Sequence, residues 1–154
     1  MKQTARPYII GICVLIAVLI FSFFSILWIS TEPKRVAKQE SLKIAKKYAD
    51  LEKVTSFSIY NGDKTYYSLI GKTSKNKDIA VLITKTSNKV FSYSLSDGAS
   101  QKEAEQVAKE NGATSIDKVV FGYWNDQPIW EIKSGNAYYI VSFKDKTLLN
   151  KEGL

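Results

Sequence analysis

The sequence predicts an α+β protein: an N-terminal transmembrane helix, then two repeated units, each a helix laid on an antiparallel sheet. Three observations carry this. An uncharged run of 22 residues, YIIGICVLIAVLIFSFFSILWI, extends from Tyr8 to Ile29. Beyond it, segments that alternate apolar and polar residues are separated by turn residues. The pattern also occurs twice. YNGDKTYYSLIGK begins at Tyr60 and YWNDQPIWEIKSG at Tyr123, an offset of 63 that lays Tyr123 on Tyr60, Asp126 on Asp63, Trp130 on Tyr67 and Ile132 on Leu69. At the same offset Ala108 falls on Ala45.

The elements follow in order. The apolar run would extend about 33 Å as a helix, enough to cross a hydrocarbon core with some tilt. Tyr8 and Trp28 near its ends are the expected interface anchors. A cleaved signal sequence has a shorter apolar region and a small-x-small end; ILWISTEP offers bulky residues there, so the run is read as an uncleaved anchor. Charges flank both sides, with Lys2 and Arg6 before and Lys34, Arg35 and Lys38 after, so orientation rests on the short leading tail staying inside. Ser30 or Thr31 can then cap a new helix with Pro33 in its first turn; the stretch either continues the membrane helix as a rigid stalk or begins the folded unit, and its apolar face favours the second. Ala37, Ser41, Ile44, Ala45 and Tyr48 form one face of it, and Lys38, Lys43, Lys46 and Lys47 the other. VTSFSIY and KTYYSLIG read as a hairpin around Asn61-Gly62-Asp63, and IAVLITK and KVFSYSL as two further strands. SDGAS breaks the chain. SQKE at Ser100–Glu103 is a capping-box pattern, Ala104, Val107 and Ala108 a buried stripe, and Asn111-Gly112 a stop. IDKVVFGY, QPIWEIKS and NAYYIVSF are three strands, with DKTLL a short fourth. The expected division is 1–30 for tail and anchor, 31–98 for the first unit and 99–154 for the second. A unit of about 55–60 residues buries only a modest core, so two packed together support each other.

Composition excludes whole classes of chemistry. The chain has no His and one Cys, Cys13, inside the apolar run. That removes Ser-His-Asp triads, Cys-His dyads, imidazole metal ligands and an intrachain disulfide. All but Lys2 and Arg6 of the 22 basic residues lie beyond the apolar run, with all 15 acidic ones. A basic surface next to a membrane points to anionic lipid or an anionic wall polymer as a partner rather than nucleic acid. The blander reading, a solvated Lys-rich surface, is preferred to a specific anion site.

Four stretches together, LKIAKKYADLEKV, FSIYNGDKTYYSLIG, SQKEAEQVAKENGA and YWNDQPIWEIKSGNAYYIVSF, behind an N-terminal anchor, resemble the YpmB/TseB-like proteins of Gram-positive bacteria with tandem PepSY-like units. The resemblance covers nearly the whole chain through aliphatic and aromatic positions and not through a catalytic signature. It implies a cystatin-like α+β fold, no catalytic residues, no cofactor, and an extracytoplasmic role in cell-wall elongation and cell shape through contact with a penicillin-binding protein.

Few residues suggest chemistry. SLK at Ser41, SNK at Ser87 and SFK at Ser142 lack the Ser-x-x-Lys spacing of penicillin-binding enzymes. Asp63 and Asp126 sit where hairpin turns use Asp, and neither turn has calcium-loop spacing. No catalytic, metal or cofactor residue is therefore assigned. Trp130 falls on the alternating buried face, but Trp124 lies at the turn, where the core needs no large ring. Tyr123 and Trp124 are the candidate partner contacts. The leading function is a non-enzymatic, membrane-anchored accessory of wall synthesis. The alternatives are a PepSY-type inhibitor of extracytoplasmic peptidases and a carboxylate-dependent hydrolase, which needs two acidic side chains converging in a cleft.

Overall fold

The structure, a computed structural model, describes residues 5–153, with side chains for 8–26 and 33–153. The elements are α1 (Ala5–Ala49), β1 (Leu51–Asn61), β2 (Thr65–Thr73), β3 (Asp78–Thr84), β4 (Val90–Ser94), a 3₁₀ turn (Leu95–Asp97), α2 (Gln101–Glu110), β5 (Lys118–Trp124), β6 (Gln127–Ser134), β7 (Ala137–Ser142) and β8 (Leu148–Glu152). The chain divides into two compact units, Met1–Ala37 and Lys38–Leu154.

In the first unit, Tyr8–Ile26 is 19 residues of helix with mean hydropathy 3.0, long and apolar enough to cross a membrane and with none of its side chains buried. Tyr8 is 74% exposed. The Trp28 side chain lies outside the described residues. The expected fresh helix start at Ser30 or Thr31 is corrected: α1 runs through Pro33. An internal proline costs one backbone bond and crowds the preceding turn. Good helix formers on its C-terminal side, Lys34, Arg35, Ala37 and Lys38, favour continuing the helix. Beyond Ala49, Asp50 takes a left-handed conformation with φ 54°, as helix ends commonly do.

The second unit holds two four-stranded antiparallel meanders, β1-β2-β3-β4 and β5-β6-β7-β8. On one side of the first sheet, Leu51, Leu69, Ile79, Val81 and Ile83 bury against Ala45 of α1. Tyr48, expected on that helix face, is 64% exposed; the Lys47 ammonium sits over its ring at 5.1 Å. The other side of the sheet is also covered, by the second sheet. Tyr60, Tyr66, Ala80 and Leu82 join a core with Phe121, Trp130, Tyr139 and Val141. So β3 is buried from Ile79 through Thr84, as its unbroken IAVLI run suits. The first sheet is thus covered on both faces, by α1 on one and by the second sheet on the other. The first sheet carries aromatic residues on its second face, and burying them stabilises by about 25 cal/mol per Å² of apolar surface.

In the second sheet, paired rows set Phe121, Trp130 and Val141 on one face, and Ile132 and Tyr139 beside them. Ala104 and Ala108 of α2 are fully buried in the same core. The Trp130 indole N–H donates to the Ala99 carbonyl at 2.8 Å, so a large ring is buried with its polar atom satisfied. The capping box at Ser100 and Glu103 is formed in both directions. Ala45 and Ala108 are both fully buried on their helices, and Leu69 and Ile132 are fully buried on β2 and β6.

The repeat is not preserved on the first strand of each hairpin. β1 and β2 close at Asn61↔Thr65, which leaves a three-residue loop. β5 and β6 close at Trp124↔Gln127, which leaves two residues. Those two, Asn125 and Asp126, have φ of 46° and 59°, the pattern of a type I′ turn. One extra residue in a turn moves the neighbouring strand to the opposite face. Tyr60 therefore pairs with Tyr66 away from α1, whereas Tyr123 shares the α2 face with Phe121 and Trp130. The alignment of Tyr123 on Tyr60 holds in sequence but not in facing. Instead Tyr60 lies over Gly122, where a Cβ would meet its ring at 2.6 Å.

Candidate functional site

The close approach of Tyr60 to Gly122 brings the two hairpin turns to one end of the second unit. There Asp63, Lys64, Tyr66, Tyr123, Asn125 and Asp126 line a pocket of about 150 Å³. Aromatic packing supports it. Tyr123 stacks on Phe91 with centroids 5.3 Å apart and planes at 21°, and lies 5.7 Å from Tyr66. Its hydroxyl donates to the Asp126 carbonyl at 2.9 Å, bracing its own turn. Tyr66 in turn packs beside Tyr60 at 6.3 Å.

Burial raises the phenols here. Tyr60 is pushed up to about 12 by desolvation first and then by Glu131, Asp63 and Glu152. Tyr66 is raised by desolvation, then by Tyr123, Asp126 and Asp63. Tyr93 is pushed up to about 12 by desolvation, then by Tyr123 and Tyr66. All three are neutral hydrogen-bonding groups near neutral pH, and Tyr60 and Tyr66 feel nearby carboxylates.

Of the two residues singled out in sequence, Tyr123 is half-buried and engaged with Tyr66 and Phe91, so it offers a partner only part of its ring. Trp124 is half-buried at the margin of the core. The structure adds the first turn: Asp63 and Lys64 stand beside Asn125 and Asp126. Nothing local in the sequence joins residues so far apart, although the repeat placed Asp63 and Asp126 in matching positions.

A second feature lies on the face of the second sheet turned away from α2. Asn61, Lys118, Glu131, Lys133, Tyr138 and Glu152 are among the residues around a groove of about 400 Å³. Alternation along β6 predicts Glu131 and Lys133 opposite Trp130 and Ile132, but not the arrival of Lys118 and Glu152. Lys118 pairs directly opposite Lys133. The Glu131 carboxyl is raised by burial, which Lys118 opposes and Glu152 reinforces. Two carboxylates thus border one groove, which is the positional requirement of the carboxylate-dependent reading. Among the described residues no group of three or more His, Cys, Asp or Glu could hold a metal ion.

Residues 40–84 match the family described as "Cell wall elongation regulator TseB-like domain", a segment that covers the end of α1 and β1 to β3. No curated protein matches the chain. Among solved structures, the YpmB protein from Bacillus subtilis aligns with a TM-score of 0.66 and 21% identity, covering 75% of this chain and 96% of that one. A protein described as a lipoprotein of Clostridium difficile 630 aligns at 16% identity and TM-score 0.41, covering 76% of this chain and 92% of that one.

Proposed function

Since the chain is YpmB/TseB-like, by its fold and by the TseB-like domain at residues 40–84, we propose that it is a non-enzymatic, membrane-anchored regulator of cell-wall elongation that acts by touching a penicillin-binding protein. The observation that carries this reading is the TseB-like match, which falls on the helix and sheet that form the first half of the second unit. The apolar helix Tyr8–Ile26 serves as a retained anchor, with the folded part outside the cytoplasm. Confinement to the membrane raises the effective concentration of one anchored protein beside another, so a weak interface suffices. The partner face is the hairpin end carrying Tyr123 and Trp124. Anionic lipid or wall polymer meets the exposed lysines of α1, and no cofactor takes part.

The test is a photo-crosslinking amino acid at position 124 in living cells, with the captured protein identified by mass. Capture of a penicillin-binding protein is the expected result. Capture of secreted peptidases alone favours the inhibitor reading. An absence of any specific product overturns this choice of face. Retention of the anchor is checked by mass spectrometry of the mature protein, where peptides covering residues 8–26 should be found.

The shared groove of Glu131 and Glu152 favours one second reading, a carboxylate-dependent hydrolase with Glu131 as the acid, because burial raises its carboxyl. Glu131→Gln separates the two readings: a regulator keeps its effect on wall elongation, and a hydrolase loses it.

A further inference from the structure

We propose that the free edge of β4 is a self-association surface, to which a second copy of this chain adds its own β4, antiparallel, about a two-fold axis at Ser92. This goes beyond the hairpin end as a partner face and does not rest on it. The two sheets end in four edge strands, β1, β4, β5 and β8. An unpaired edge is normally blunted by charge, proline, a bulge or a covering element. β1 carries two register shifts with Glu52 and Lys53. β5 starts at Lys118 and is approached by β1, where Tyr60 lies over Gly122. β8 holds Lys151 and Glu152. β4, from Val90 to Ser94, has no charge and no proline, and its register with β3 is unbroken.

The ladder fixes which groups that edge offers. The Lys85 N–H donates to the Thr65 carbonyl on the β2 side, and the Thr84 N–H donates to the Lys89 carbonyl on the β4 side. Antiparallel bonding alternates from residue to residue, so Phe91 and Tyr93 turn their backbone groups to β3, and Val90 and Ser92 turn theirs outward. Among the described residues nothing bonds those outward groups, and Ser92 is exposed. The strand is held from behind, since Phe91 stacks on Tyr123 and Tyr93 packs against Phe121 and Phe143. Little ordering therefore remains to oppose pairing. A hollow of about 550 Å³, lined by Ile44, Tyr48, Asn88 and Val90, leaves the approach open on the side of α1.

The edge is complementary to itself. With Ser92 opposite Ser92 of a second copy, the two residues exchange both backbone bonds. Phe91 then falls opposite Tyr93 in the non-bonded rows on either side, where paired side chains stand closest. Charge specifies the same arrangement. Lys85 and Lys89 lie at the Val90 end and Asp97 lies beyond the Ser94 end, all exposed and without an ion-pair partner among the described residues. Antiparallel pairing brings the basic end of each copy toward the acidic end of the other, twice by symmetry. Parallel pairing would set like charges together. A strand from an unrelated protein would satisfy the backbone but not this reciprocity. With both copies anchored in one membrane by Tyr8–Ile26, the effective concentration of each beside the other lets a short pairing suffice.

The test uses the full chain on a Cys13→Ala background, in cell membranes and in detergent. Opposed residues of a bonded antiparallel pair have Cα atoms about 5.5 Å apart, inside the range of about 4.4–6.8 Å that a disulfide spans. Ser92→Cys should therefore give a disulfide-linked dimer under mild oxidation, and Thr114→Cys, exposed beyond α2, should not. Light scattering in detergent should show a concentration-dependent equilibrium between monomer and dimer. Ser92→Lys sets two ammonium groups opposite each other and should raise the dimer Kd about tenfold or more. Lys89→Asp should weaken the dimer, and Lys89→Asp combined with Asp97→Lys should restore it. Tryptophan fluorescence checks that each variant is folded, and the charge pair decides the matter even if Ser92→Lys is not. A monomer at every concentration, equal disulfide formation at both positions, or capture of a different protein alone by Ser92→Cys overturns the proposal. So does a dimer that Ser92→Lys leaves intact, as association through the apolar helix would, or a charge reversal without rescue.

Discussion

Trp130 is the largest fully buried side chain among the described residues. It is 1% exposed, meets Phe121 edge-on at 5.0 Å, and donates to the Ala99 carbonyl. Trp130→Ala should cost about 3–5 kcal/mol, the range for truncating large core aromatics, as read by urea denaturation. Glu103 acts through charge. The Lys146 ammonium, 2.7 Å away, and the Ser100 backbone and hydroxyl lower its carboxyl to about 2. A carboxylate held below its unfolded value near 4.5 adds stability at pH above that value, and this is lost as pH falls through about 2. The acid limb of a stability profile should therefore be shallower in Glu103→Gln than in the parent. Gly122 is constrained by a neighbour and not by its backbone. Gly122→Ala drives a methyl into the Tyr60 ring, and overpacking of this kind costs about 1–3 kcal/mol; a lowered melting temperature should report it.

Among the elements, α2 shows how local chemistry sets a boundary. Ser100 caps the helix by accepting from the Glu103 N–H, and Glu103 accepts from the Ser100 N–H. Ser100→Ala should destabilise by about 1 kcal/mol, the usual size of a lost cap, as measured by chemical denaturation. At the other end Asn111 closes onto the Val107 and Ala108 carbonyls. The hairpins show the opposite case. Their strands alternate as the residues dictate, but a loop of three residues against one of two decides which face each first strand presents.

At the scale of the molecule, the two sheets of residues 38–154 share a core in which Tyr93 lies 5.9 Å from Phe121 and 6.2 Å from Phe143. Residues from one sheet therefore stabilise the other. Urea unfolding of a Trp28→Phe variant followed by tryptophan fluorescence, which then reports only Trp124 and Trp130 of the second sheet, should coincide with unfolding followed by a label placed on β4 of the first. Two separated transitions would show that the sheets fold independently. Removal of residues 99–154 should expose the Tyr60, Tyr66 and Tyr93 face and give a product that binds hydrophobic dye.

The sequence by itself determined most of the elements and many of their helix-facing residues, though not the exposure of Tyr48 or the full extent of α1 and β8. Periods of two and of 3.6 are written in the order of residues, so Leu69, Ile132, Ala45 and Ala108 could be placed on buried faces before any fold was known. Caps and turns were legible for the same reason, since Ser100-x-x-Glu103 and Asn125-Asp126 act within a few residues. The apolar run from Tyr8 was legible from length and composition. Tertiary structure alone decided that Pro33 stays inside α1, that the first sheet is covered on both faces, and that Tyr60 reaches Gly122. It also decided that Asp63 and Asp126 line one pocket, and that Glu131 shares a groove with Lys118 and Glu152. Each of these depends on groups far apart in sequence, or on a balance of backbone bonding across a long helix. Local pattern carries no information about which apolar face a second sheet will cover, because burial lowers free energy by area removed from water whatever residue supplies the cover.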